Sequence, residues 1–69
     1  MDVVYSEHAK KRMKERGISL LEAEHVLRYP KYVKKSYEGR KVAVGEDGNK
    51  EIKVVFIEEK SYIKVITVI

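Results

Sequence analysis

No cysteine occurs in the 69 residues, so disulfide scaffolds and thiolate nucleophiles are excluded. A zinc site would have only His8, His25 and carboxylates to draw on, and neither a metal nor a cofactor is expected. The same lack fits a reducing compartment, and the expected location is cytoplasmic. Long apolar runs are missing as well. The longest is Val54-Val55-Phe56-Ile57, far short of the roughly 20 residues that a membrane helix needs. The start Met1-Asp2-Val3 has no basic flank leading into an apolar signal segment. Glutamine is absent and Asn49 is the sole asparagine, while lysine and glutamate are abundant, a bias shared with thermophile proteins. The four glycines are too sparse for a phosphate-binding loop, and neither a P-loop nor a dinucleotide fingerprint is present. Acidic residues are scattered rather than paired as ligands for divalent cations.

At this length residues 1–69 form one domain with no room for a second core. So short a chain buries only about 60% of the surface its unfolded form exposes, and its stability can depend on a partner subunit. Aliphatic and aromatic residues make up 43% and charged residues 38%, the composition of a folded globule.

The net charge of +4 is unevenly spread. Up to Lys35 there are 9 basic and 5 acidic residues, and beyond it 6 of each, so the excess is N-terminal. It concentrates in Lys10-Lys11-Arg12-Met13-Lys14-Glu15-Arg16, then in Arg28, Lys31, Lys34 and Lys35, with Tyr29, Tyr32 and Tyr37 interleaved. Clustered cations with aromatics nearby suit a polyphosphate chain, because each phosphate neutralised releases a counterion. The alternative is a solvated helix face that only keeps the protein soluble.

Four marks divide the chain: Gly17-Ile18-Ser19, Tyr29-Pro30, Glu38-Gly39 and Asp47-Gly48-Asn49. Ser6 is an N-cap for a helix running to Arg16, and Gly17 suits the left-handed position that ends it. Ser19 and Glu22 form a capping box for a second helix from Leu20 to Arg28 that stops before Pro30. From Lys31 onward the alternation is that of strands: Tyr32 to Tyr37, Arg40 to Gly45, Glu51 to Ile57 and Tyr62 to Ile69, with Val3 to Tyr5 available as a short strand ahead of the first helix. The expected fold is α+β, an αα-hairpin packed on one face of a three- to four-stranded antiparallel meander.

Facing residues on neighbouring strands share a side of the sheet, so the hydrophobic pattern predicts the register. Placing Val42 and Val44 with Ile52, Val54 and Phe56 requires an odd loop, Glu46-Asp47-Gly48. Phe56 then meets Ile63 or Val65 across an even loop tipped by Glu59-Lys60. The apolar face becomes Val42, Val44, Ile52, Val54, Phe56, Ile63, Val65 and Ile69. The opposite face, Lys41, Ala43, Lys53, Val55, Ile57, Tyr62, Lys64, Ile66 and Val68, is half apolar and dotted with lysines. That mixture predicts a binding surface for RNA, a partner chain or a second copy; the alternative is an exposed sheet shielded by lysine stems.

On the first helix His8, Arg12 and Arg16 follow at i, i+4 and i+8, a row on the border between core and solvent. An imidazole, with its ordinary pKa near 6.5, could take the proton of a ribose 2′-hydroxyl while the guanidinium groups stabilise charge on the scissile phosphate. The alternative is that His8 caps the helix while the arginines pair with Glu7, Glu15 or Glu58. His25 reads as a solvated surface residue.

The run from Tyr5 to Ser19, with its Ser-x-His-Ala-x-x-Arg-Met-x-x-Arg-Gly-Ile-Ser pattern, followed by Glu22, Val26-Leu27, Pro30, Gly39-Arg40 and Lys53-Val54-Val55, resembles domain-of-unknown-function family 4258 over nearly the whole chain. By fold analogy that family is similar to the RelE and ParE toxins and the wider barnase, EndoU and colicin-type nucleases. The resemblance implies a RelE-like toxin or small metal-independent ribonuclease acting on RNA, often neutralised by an antitoxin bound along the sheet. It makes His8, Arg12, Arg16 and Lys53 the candidate catalytic residues, with Lys10, Lys11, Lys14, Lys34, Lys35 and Arg40 on the RNA. A non-catalytic nucleic-acid-binding or protein-interaction module, bound to an antitoxin or homodimeric, is the competing expectation. The chain ends at Ile69, without the C-terminal tyrosine or basic tail of the better-known RelE pattern.

Overall fold

The computed structural model describes residues 2–69. Asp2–Tyr5 form strand β1, Glu7–Arg16 helix α1, and Leu20–Arg28 helix α2. Strands β2 (Tyr32–Lys35), β3 (Lys41–Asp47), β4 (Lys50–Glu58) and β5 (Tyr62–Val68) follow. The architecture is α+β as expected, but the sheet has five strands in the order β1-β5-β4-β3-β2. The meander β2 to β5 is antiparallel, and β1 adds to its far edge parallel to β5, so the sheet is mixed.

Local chemistry sets the helix ends where the caps predict them. The Ser6 hydroxyl accepts from the Ala9 N–H at 3.0 Å and donates to the Ile66 carbonyl at 2.8 Å, so one side chain starts α1 and ties it to β5. Gly17 is left-handed at φ 69°, with its N–H on the Lys14 carbonyl and the Ile18 N–H on the Met13 carbonyl, a Schellman ending. The Ser19–Glu22 capping box is formed on both sides. Ala9, Met13, Ala23 and Val26 then press one face of the αα-hairpin onto Ala43, Ile52, Val54, Phe56, Val65 and Val68.

Two registers differ from expectation. The β3–β4 turn is the two-residue Gly48-Asn49, with Asp47 opposite Lys50. Val42 and Val44 therefore face away from the helices, while Ala43 and Gly45 face them. The reason is the close approach of α2 to β3. A Cβ at Gly45 would sit 3.2 Å from Val26 Cγ1, so small residues, not valines, belong beneath the helix.

The β4–β5 pair joins Phe56 to Val65 as expected, but its tip is Lys60-Ser61, closed by the Glu59 N–H on the Tyr62 carbonyl at 2.9 Å. A bulge opposite Val55 and Phe56 then turns Val68, not Ile69, into the core. Val42, Val44, Val55 and Ile66 make a second, smaller cluster on the face without helices. Val42, Val44 and Val55 are nonetheless buried there, with Ile66 packed against them.

Candidate nucleic-acid interface

The structure distributes the candidate residues over two sides of the sheet. On the helix side, His8 and Arg16 are exposed on α1 and Arg12 is half-buried. The Arg12 Nε is buried without a hydrogen-bond partner. Among the described residues neither arginine is ion-paired; of the partners expected for them, Glu7 holds Lys10 at 3.3 Å, Glu58 holds Lys41, and Glu15 is in no ion pair. Lys10 and Lys14 rim an apolar crevice of about 310 Å³ floored by Met13, Ile18 and Leu20, and Lys11 is exposed. His25 is exposed, its ring centroid 5.4 Å from that of Tyr29.

Lys53 stands on the other side. It lies opposite Val44, one of the buried residues of the second cluster. The structure therefore does not bring Lys53 together with His8, Arg12 and Arg16.

What the uncovered face does bring together follows from the ladders. One row across the sheet reads Lys34, Val42, Val55, Thr67, and the next reads Tyr32, Val44, Lys53. Rows are made of residues on adjacent strands about 4.8 Å apart, so these side chains stand as direct neighbours. Beyond the first row the β2–β3 turn rises as a wall. Its central residues Glu38 and Gly39 take φ 60° and 74°, and the Arg40 N–H closes the turn on the Tyr37 carbonyl at 3.2 Å. Two left-handed central residues are the mark of a type I′ turn.

Ser36, Tyr37 and Arg40 on that wall, with Lys34, Val42, Val55, Thr67 and Ile69, enclose a groove of about 370 Å³. No side-chain carboxylate lines it, and among the described residues neither Lys34 nor Arg40 nor Lys53 is in a salt bridge. Lys35 lies on the reverse of the hairpin with Lys41, in a second crevice that shares Ser36 and Arg40 with the groove.

The far end of this face is acidic. Glu46 and Glu51 lie directly opposite each other, and Glu46 is held by Lys31. That contact raises the Lys31 ammonium pKa above its ordinary value, the hydrogen bond to Glu46 being the main cause. Charge on the sheet thus runs from acidic at Glu46 and Glu51 to cationic at Lys53, Lys34 and Arg40.

Chain 5–69 matches the family described as domain of unknown function DUF4258. The chain belongs to that family. No curated protein and no solved structure matches it.

In this DUF4258 domain most of the N-terminal pattern has a structural task. Ser6 caps α1 and Ser19 caps α2, Ala9 and Met13 are core, Gly17 ends α1, and Ile18 packs against the core. His8, Arg12 and Arg16 make no side-chain hydrogen bond or ion pair among the described residues. Sequence reasoning notes Tyr37 only as one of three aromatics interleaved with the cations, and misses Thr67 as a site residue. Tyr37 has a signal in its place beside Glu38-Gly39, but Thr67 joins the groove only because the bulge sets it opposite Val55. It misses Lys50 as well, whose ammonium donates to the Gly17 carbonyl at 2.6 Å and lies 3.4 Å from Glu22, pinning the β3–β4 turn to the helix hairpin.

Proposed function

We propose that this DUF4258 domain binds single-stranded RNA on the sheet face that the helices leave uncovered. The observation that supports the reading is the groove lined by Lys34 and Arg40, with Lys53 one row away and, among the described residues, neither a lining side-chain carboxylate nor an ion pair to neutralise them. Cations held without a counter-ion beside an apolar floor fit a phosphate chain carrying flat bases. The acidic pair Glu46 and Glu51 gives the strand a direction to avoid.

A RelE-like toxin role belongs with this reading, since such a domain would act on RNA that it must first hold. Metal-independent cleavage is a second reading, favoured by the exposed His8 one turn from an Arg12 whose Nε has no partner. In it His8 takes the 2′-hydroxyl proton and Arg12 and Arg16 meet the phosphate. Because α1 and Lys53 stand on opposite sides of the sheet, a strand cleaved there would have to pass round the sheet edge.

Incubating the protein with RNA in EDTA, beside His8→Ala, separates the two. The binding reading predicts salt-sensitive complexes and intact RNA. Fragments with 2′,3′-cyclic phosphate ends that disappear in His8→Ala would establish cleavage from α1.

A further inference from the structure

Within the uncovered face, the groove beside the β2–β3 turn has a shape and chemistry of its own. We infer that it is a site for one nucleotide unit, with the base stacked on Tyr37 and the phosphate held by Arg40 and Lys34. The inference deepens the sheet-face reading and, for RNA as the source of that unit, rests on it.

Three observations carry it. The groove measures about 370 Å³, within the range of roughly 300–1,000 Å³ usual for small-ligand sites. Its parts also match the parts of a nucleotide. Val42 and Val55 give an apolar floor, Arg40 and Lys34 are cations with no carboxylate partner among the described residues, and Tyr37, a residue 73% exposed, supplies an aromatic ring. A residue so exposed is not part of the core. Lastly, Tyr37 and Arg40 are fixed on either side of a turn that holds Glu38, a residue with a Cβ, at φ 60°. Such backbone is strained for a residue with a Cβ and persists where the surroundings demand it. The effect is to keep ring and guanidinium at one mouth of the groove.

Free nucleotides and RNA strands present the same base and phosphate, so two probes are needed. Adenosine 5′-monophosphate is titrated into the 15N-labelled protein, and binding of an eight-nucleotide single-stranded RNA is measured at several salt concentrations, for the wild type, Tyr37→Ala, Tyr37→Phe and Arg40→Ala. The expected result is that the amides of Ser36 to Arg40 and of Thr67 shift with the mononucleotide. Tyr37→Ala should weaken RNA binding about tenfold with its salt dependence unchanged, and Tyr37→Phe should restore it. Arg40→Ala should lower the salt slope by about one.

RNA binding equal to wild type in Tyr37→Ala would overturn the nucleotide site and leave the sheet-face reading standing. No RNA binding by the wild type, with the mononucleotide shifts retained, would overturn that reading and make a free nucleotide the ligand. Neither binding nor shifts would overturn both.

Discussion

Glu38 departs from what its residue type prefers. A glutamate at φ 60° beside Gly39 occupies the place where a type I′ turn favours Asn-Gly. Glu38→Asn should therefore stabilise the fold, by about 0.5–1 kcal/mol, read as a higher denaturant midpoint with unchanged slope. Glu22 is the second informative residue. Its carboxyl is held below the ordinary carboxylate value, first by the Ser19 N–H and then by Lys50. A depressed folded pKa means that the unfolded chain binds the proton more readily. This contribution is present above the ordinary value of 4.5 and is lost as pH falls through the lower folded value. Denaturant melts across that acid window should show a shallower pH dependence for Glu22→Gln than for wild type. Both residues were partly legible in the sequence. The capping box announces Glu22, whereas nothing in the order of residues says that the Glu38 turn walls a groove.

At the scale of elements, helices were legible and strand register was not. Caps act within four residues of the helix they start or end, so Ser6, Gly17 and Ser19 could be read from spacing alone. Register depends on what lies above the sheet. Counting aliphatics put Val42 and Val44 under the helices, but α2 comes so close to β3 that only Gly45 and Ala43 fit there. This accounts for the two-residue turn at Gly48-Asn49 and for a valine cluster on the far face. Gly45→Ala tests it directly. The added methyl meets Val26 Cγ1 at 3.2 Å and Cγ2 at 3.3 Å, so a loss of about 1–3 kcal/mol is expected in chemical denaturation. In a Val26→Ala background the same substitution should cost markedly less, and an unchanged cost would mean that the two positions are not in conflict.

The whole molecule is a sheet with one side given to stability and the other left open. Helices, caps and the Lys50 contact to Gly17 consume most of the N-terminal pattern, so the basic stretch of α1 is less informative about function than its density of charge implies. The open side owes its character to distant segments. Lys34, Arg40, Lys53 and Thr67 come from four strands or their ends, and only the ladder sets them side by side. No helix among the described residues is long and apolar enough to cross a membrane.

The most direct test of the central claim is the salt dependence of RNA binding in two triple variants, Lys34→Ala/Arg40→Ala/Lys53→Ala on the sheet and Lys10→Ala/Lys11→Ala/Lys14→Ala on α1. Each phosphate contact removed lowers the slope of log affinity against log salt by close to one. The sheet variant should lose affinity and two to three units of slope, while the helix variant keeps the wild-type slope. A helix variant that loses the slope, beside a sheet variant that binds as wild type, would contradict the account and move the RNA to α1.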